Sequence, residues 1–383
     1  GCTGSENFGQ LSPRPEGVMM DFFKAANPGI LDLAPYQPGK PVEELERELG
    51  ISNIVKLASN ENPLGPTPKL RTDLAATLKE SARYPDGSAF ELKRRLSEML
   101  NCATHQLTVG NGSNDVLELL GRVFLGPGLN AVVSEHAFVV YGLVTRSLGA
   151  SLREVPCQNF CQDLEATLQA IDEQTRLVFI ANPNNPTGTW VGKTALETFL
   201  RAVPDSVIVV LDEAYVEYVD DPDYPNGLAL MDSYPNLVVT RTFSKAYGLA
   251  ALRLGYSVSH PDIADLMNRI RQPFNVNSVA LAAGLLALDD PDHVAEGVRI
   301  NQEGLKLLNA AFESLSLSTI PSVGNFVCVD VQGDALPIYQ GLLEQGVIVR
   351  PVGVYGLPNH LRVSVGTPEE NQAFTTALKR VLG

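Results

Sequence analysis

The chain has 383 residues, enough for a large core and for two or three domains. Hydrophobic residues make up 44% and charged residues 19%, the balance of an ordinary globular protein, and no apolar run approaches the roughly 18 residues of a membrane helix. A formal net charge of −15 argues against nucleic acid, whose phosphates are met by clustered Lys and Arg.

The opening Gly1-Cys2-Thr3-Gly4-Ser5 has no starting Met, so Met19 and Met20 are candidate starts and residues 1–18 are set aside. With no charged and apolar leader, the expected compartment is the cytoplasm. Residues 1–59 read as an N-terminal segment that joins a smaller domain formed further along the chain. Residues 60–275 read as a large domain. Within it, short runs without polar alternation at 131–134, 177–181, 207–211 and 237–241 suit strands buried on both faces of a mostly parallel sheet. Amphipathic stretches such as 163–171 and 193–201 lie between them, and Gly126-Pro127-Gly128 and the run 182–188 punctuate the order. Strand–helix alternation of this kind predicts an α/β layered fold with right-handed crossovers. After about residue 271 the pattern changes. Helical stretches at 276–288 and 293–315 precede a strand-like 326–331, a helical 338–345, strand-like 347–350 and 361–365, and a closing helix from 369. We read 276–383 as a smaller α+β domain.

The five cysteines (Cys2, Cys102, Cys157, Cys161, Cys328) are scattered and odd in number, unlike a disulfide framework. Cys157 and Cys161 are close, but no second Cys or His pair stands at ligand spacing, so no metal site is expected.

Ligands of open α/β sheets gather beyond the carboxyl ends of the strands. The strand at 177–181 runs into Asn182-Pro183-Asn184-Asn185-Pro186-Thr187-Gly188, and that at 207–211 into Asp212-Glu213-Ala214-Tyr215. The strand at 237–241 runs into Thr242-Phe243-Ser244-Lys245, with Arg253 eight residues on. Val109-Gly110-Asn111-Gly112-Ser113-Asn114-Asp115 opens a helical run over 116–124. A lysine amine shifts its pKa readily when desolvated, which suits Lys245 to Schiff-base chemistry. Backbone amides at a helix start, here Gly112, Ser113 and Asn114, together with the Arg253 cation make an anion site. Each residue also has an ordinary reading on its own. Gly110-x-Gly112 is equally a plain turn or part of a dinucleotide fold, Asp212 a helix cap, Tyr215 and Phe138 core aromatics, and Lys245 a surface lysine.

Taken in order, Asn184-Asn185-Pro186-Thr187-Gly188, Asp212-Glu213-Ala214-Tyr215 and Ser244-Lys245 followed by Arg253 resemble fold-type-I aminotransferases. The resemblance extends over nearly the whole chain from about residue 28. It implies a large domain with a mostly parallel central sheet plus a smaller α+β domain, and pyridoxal 5'-phosphate as cofactor on Lys245. It also implies that Asp212 sits beneath the pyridine nitrogen and keeps it protonated, so that the ring acts as an electron sink. Tyr215 and Asn185 would hydrogen-bond the ring's phenolic oxygen, and hydroxyls of Thr242 and Ser244 would join the phosphate site. Phe138 falls where an aromatic ring stacks on the pyridine; many relatives have Tyr there.

Further stretches narrow the family. Pro35-Tyr36-Gln37-Pro38-Gly39, Leu57-Ala58-Ser59-Asn60-Glu61-Asn62-Pro63-Leu64-Gly65-Pro66, Arg83-Tyr84-Pro85-Asp86-Gly87 and His360-Leu361-Arg362-Val363-Ser364-Val365-Gly366-Thr367 resemble histidinol-phosphate aminotransferases most closely. That family implies a ping-pong exchange between L-histidinol phosphate and 2-oxoglutarate. It implies that Arg362 meets the substrate's anion, assisted by Arg350 and Tyr36, with Asn60 and Asn185 beside the substrate. Tyr84 would reach the cofactor phosphate of a neighbouring subunit, making a homodimer the working unit. Structural salt bridges are the plain alternative for Arg350 and Arg362, and anchoring of the N-terminal arm for Tyr36.

Rival readings within the same subfamily are an aromatic amino acid aminotransferase and a threonine-phosphate decarboxylase. An aminotransferase-like ligand sensor would resemble fusions with a helix-turn-helix module, for which the residues before Ile30 are too few. A nicotinamide-binding protein would need an early Gly-rich βαβ turn that the sequence does not offer. The expected partners are small-molecule substrates and a second copy of the chain, with no nucleic acid and no membrane.

Overall fold

The computed structural model describes residues 22–36 and 39–383; Cys2 and the Gln37-Pro38 pair singled out above lie outside the described residues. Seven strands form the main sheet: β1 Leu107–Asn111, β2 Asn130–Ser134, β3 Ser151–Val155, β4 Thr175–Ala181, β5 Ile208–Asp212, β6 Leu237–Thr242 and β7 Leu254–Val258. Their order is β1-β7-β6-β5-β4-β2-β3. Neighbours run parallel except at β7, which is antiparallel to both β1 and β6.

Alternate residues of a strand face opposite sides of its sheet, and here both sides are covered. Val133, Phe179 and Val210 enter one core layer with Leu117 and Leu120 of helix α1 (Ser113–Phe124) and Tyr141 of helix α2 (Val139–Ser147). Val132, Val178, Ile180 and Val209 enter the other, with Leu196 and Phe199 of helix α3 (Lys193–Ala202). Two-sided burial is why β2, β4, β5 and β6 read as unbroken apolar runs. Two strands lacked that signature. β3 lies at the sheet edge and carries Arg153 and Glu154 in a largely open setting. β7 is fully buried, yet Gly255 and Ser257 interrupt its apolar character.

The chain passes to the second unit by two helices. The sequence reading starts that unit at 276. Helix α4 (Ser278–Leu288), however, packs Ala280, Ala283 and Ala287 against Leu92, Leu96 and Val109 of the large unit. A Cβ at Gly284 would stand 2.6 Å from Leu254 Cδ2, so this helix approaches β7 closely along its small residues. We therefore place the boundary after Leu288.

Helix α5 (Pro291–Ser314) then leads into a four-stranded antiparallel sheet of β8 Thr319–Ile320, β9 Phe326–Asp330, β10 Arg350–Pro351 and β11 His360–Ser364, in the order β8-β9-β11-β10. Leu308 and Phe312 of α5, Leu342 of helix α6 (Ala335–Glu344), and Phe374 and Leu378 of helix α7 (Pro368–Leu382) pack on Val327, Val329, Leu361 and Val363. Thr367 starts α7 with a capping box: its hydroxyl accepts from Glu370 N, and the Glu370 carboxylate accepts from Thr367 N. The strand expected at 347–350 is split in two. Arg350–Pro351 joins this sheet, whereas Val347–Ile348 pairs in parallel with Val55–Lys56. The N-terminal segment thus enters the small unit's core, where Leu57 N donates to Ile348 O at 2.7 Å and Ser364 N donates to Leu57 O at 2.9 Å. No helix among the described residues is long and apolar enough to cross a membrane.

Candidate active site

The parallel strands β4, β5 and β6 all end on the same side of the sheet, and their last residues open into a cavity of about 240 Å³ between the two units. It gathers Tyr36, Asn60, Ser113, Asn114, Phe138, Asn185, Asp212, Tyr215, Thr242, Ser244, Lys245, Arg253, Arg350 and Arg362. Of the residues predicted from sequence, Gly112 sits just behind this wall and Tyr84 lies away from it. A larger hollow of about 560 Å³ beside Lys93 and Phe274 contains none of these strand-end groups.

Asp212 is the last residue of β5 and is 5% exposed. Its Oδ2 accepts a hydrogen bond from the Tyr141 hydroxyl at 2.7 Å, while its Oδ1 is buried with no partner among the described residues. Burial pushes the carboxyl's pKa up, and the Tyr141 bond opposes that push. Lys245 follows the end of β6, and its Nζ donates to Ser59 O at 3.0 Å and stands 5.7 Å from the centre of the Tyr215 ring. Burial above all, then the Arg362 cation, pushes this amine down to about 7. The Tyr215 hydroxyl accepts from Asn60 Nδ2 at 2.9 Å, and burial pushes the phenol up to about 12.

Asn60 was expected beside the substrate. Both ends of its amide are engaged within the protein, Nδ2 on Tyr215 and Oδ1 on the Ser364 hydroxyl. Its left-handed backbone (φ 55°), a conformation Asn tolerates well, turns the chain from the small unit toward the cavity. Asn325 Nδ2 donates to Asn60 O and completes the anchorage.

At one end of the cavity the start of α1 makes an anion cradle. The first amides of a helix have no partner within it and carry its positive dipole end. Gly112 precedes that start with φ 80°, and a Cβ there would stand 2.5 Å from Arg253 Nη2. The guanidinium is thus pressed against the helix start, steadied by Nη1 donating to Ala250 O at 2.9 Å and to Ser244 Oγ at 3.4 Å. Gly255 on β7 does the same service from behind, since a Cβ there would lie 2.3 Å from Ser113 N. Thr242 and Ser244 flank the cradle, joined by Ser244 N donating to Thr242 Oγ1.

The other end is cationic as well. Arg362, on β11, donates through Nη1 to Asn185 Oδ1 and through Nη2 to Ala58 O, and lies over the Phe326 ring at 5.5 Å. Arg350, on β10, lies over the ring of Tyr36 at 5.8 Å. Phe138 caps the start of α2 and meets Tyr141 edge-on at 5.8 Å. Tyr84 is 82% exposed and stacks on Phe274 with ring centres 4.6 Å apart.

Sequence reasoning missed Tyr141, Phe326 and the carbonyls of Ala58 and Ser59. Tyr141 left one readable signal: it follows Phe138 by three residues and so shares its side of the helix.

A cavity with an amine and a carboxylate at its centre and a cation site at each end suits a phosphorylated cofactor joined to a lysine. The family described as "Aminotransferase class I and II" matches residues 52–378. The chain belongs to that family. Among aminotransferases similar to it is histidinol-phosphate aminotransferase 2 of Pseudomonas fluorescens, 58% identical over 94% of this chain and 98% of that protein. The Pseudomonas aeruginosa protein of the same name is also 58% identical, over 95% of this chain and 99% of its own length. Among solved structures, the histidinol-phosphate aminotransferase of Sinorhizobium meliloti in complex with pyridoxal-5'-phosphate matches with a TM-score of 0.86 at 30% identity, covering 93% of this chain and 96% of that one. The L-threonine-O-3-phosphate decarboxylase of Porphyromonas gingivalis shares the fold at 23% identity and a TM-score of 0.76.

Proposed function

We propose that this aminotransferase binds pyridoxal 5'-phosphate on Lys245 and exchanges an amino group between L-histidinol phosphate and 2-oxoglutarate, giving imidazole-acetol phosphate and L-glutamate. One observation carries the cofactor assignment. Asp212 lines the cavity with a buried oxygen that has no partner among the described residues, the demand that a protonated ring nitrogen would meet. The other residues fit the same group. Ser113 and Asn114 amides, the Thr242 and Ser244 hydroxyls and Arg253 would hold the phosphate, with Gly112 leaving room for the guanidinium. Phe138 would stack on the ring, and Tyr215 and Asn185 would hydrogen-bond its phenolic oxygen.

When bound, the ring supplies an electron sink for the pair left behind as the substrate's α-proton departs. The chain's own groups do the rest. Lys245 Nζ, with its proton affinity lowered by burial, takes that proton and gives one back. Asp212 holds a negative charge against the ring nitrogen. Arg362 and Arg350 receive the substrate's anionic group, and a guanidinium fork accepts a phosphate or a carboxylate bidentately. That versatility answers a chemical problem, because one substrate carries a phosphate and the other two carboxylates. Tyr36 shields Arg350 at the mouth of the cavity. Asn60 positions Tyr215. Tyr84, exposed on its own chain, would complete the phosphate site of a second copy, so the working unit is a homodimer of intertwined sites.

Steady-state kinetics with histidinol phosphate and 2-oxoglutarate test the reading. Two successive half-reactions give parallel double-reciprocal lines. Intersecting lines would reject the scheme, preferred turnover of phenylalanine would move the assignment to an aromatic aminotransferase, and carbon dioxide release from threonine phosphate would move it to a decarboxylase.

A further inference from the structure

Tyr141 lies on α2 with 1% of its surface exposed. Its ring stacks flat on Phe179 of β4, centres 4.7 Å apart and planes 8° from parallel, while Phe138 meets its edge. Clamped in this way, the hydroxyl has one direction to point, and there it donates to Asp212 Oδ2 at 2.7 Å. We propose that Tyr141 is a positioning residue for amino transfer, fixing one oxygen of Asp212 and keeping the carboxylate ionised so that the other oxygen is held against the cofactor's ring nitrogen. The inference rests on the function proposed above.

The physical case turns on the choice of donor. Burial favours the neutral form of Asp212 and the Tyr141 hydrogen bond is the foremost influence against it; a neutral Asp212 would give the ring nitrogen no negative charge to face. A lysine or arginine in place of Tyr141 would keep the carboxylate ionised but cancel its charge. A phenol does neither harm. It donates a hydrogen bond to the charged form and adds no charge of its own. It also keeps its proton, because burial and the adjacent Asp212 push the phenol well above its ordinary range. Among the described residues no ion pair involves Asp212, so its charge stays available to the cavity.

The experiment compares holoenzymes of wild type, Tyr141→Phe, Asp212→Asn and the double variant. Tyr141→Phe keeps the stacked ring and removes only the hydroxyl. Its bound pyridoxal phosphate should dissociate about tenfold more readily, the worth of one hydrogen bond to a charged group. The pH midpoint of its visible absorption should move upward, because a ring nitrogen without its proton withdraws less charge from the Lys245 nitrogen. In the Asp212→Asn background the same substitution should change neither quantity, since Tyr141 acts through that carboxylate. An unchanged midpoint and unchanged retention in Tyr141→Phe overturn the inference, as does an undiminished effect in the Asn background. If Tyr141→Phe fails to fold, the double variant is compared with Asp212→Asn alone: matching spectra support the proposal and differing spectra overturn it. Failure of the functional reading is a separate result, a wild type that binds no pyridoxal phosphate at Lys245 at all.

Discussion

An amine that serves as a base near neutral pH has to shed its proton there. Lys245 meets that demand by burial, with Arg362 adding repulsion, and its pKa falls from 10.5 to about 7. A measurable consequence holds for the cofactor-free protein. Between those two values the unfolded chain keeps a proton that the folded chain has released, so stability rises with pH across the window. Urea unfolding near each end of the window should record that rise, and Lys245→Met should flatten it; an unaltered slope would put the amine in water. In the holoenzyme, Lys245→Ala should lower turnover by at least about 10²–10⁴-fold, the range of a lost general base, and abolish trapping by borohydride. That Lys245, Asp212, Tyr215 and Arg253 line one cavity was legible because strand ends in this class of sheet present their polar residues to one side. Tyr141 and the Asn60–Tyr215 bond were not. One is a helix tyrosine whose role depends on a strand 71 residues away, and the other joins residues 155 apart.

Secondary-structure elements explain how such contacts are held. Asp212 and Glu213 are adjacent in sequence, yet alternation along the strand end sends them apart. Asp212 faces the cavity, whereas Glu213 is fully buried behind it, where its Oε2 accepts from Arg241 Nε and Nη2 at 2.9 and 2.7 Å. A motif reading registers both acids and cannot say which one works. The β7 strand poses a similar difficulty, because its value lies in what Gly255 lacks. With backbone atoms of Gly112 and Ser113 within 3 Å of any Cβ there, Gly255→Ala must displace the cradle. We expect it to cost about 1–3 kcal/mol, the range for overpacking, and to weaken retention of pyridoxal phosphate without touching a ligand group. Gly126→Ala, where nothing lies within 4 Å, serves as the control. Equal behaviour of the two variants in thermal unfolding and cofactor retention would remove β7 from the account.

At the scale of the molecule, the exposed rings of Tyr84 and Phe274 stack on one another outside the cavity. Apolar surface of that kind marks contact with another protein. Sedimentation should report twice the 41.3 kDa chain. Co-refolding Tyr84→Ala with Lys245→Ala subunits should give more turnover than the mean of the two variants alone, because a mixed pair rebuilds one complete site. No gain on mixing would confine Tyr84 to its own chain. The two-unit architecture was legible from the switch in pattern after the sheet, but the position of α4 was not. Its alanines and Gly284 fit a close approach to β7 that periodicity cannot distinguish from any other buried helix.

The segment around Asn60 also has a consequence in time. Asn60 bonds Ser364 across 304 residues, and Ala58 supports Arg362 across the same distance. At ribosomal rates of about 5–20 residues per second, roughly 15–60 s separate the synthesis of those partners. Only in its last part, the roughly 6–23 s after residue 245 is made, does the growing chain hold Lys245 without Arg362. Maturation is therefore a late event, and a chain stalled or truncated before β11 would have an aldehyde-reactive lysine without the enzyme built around it.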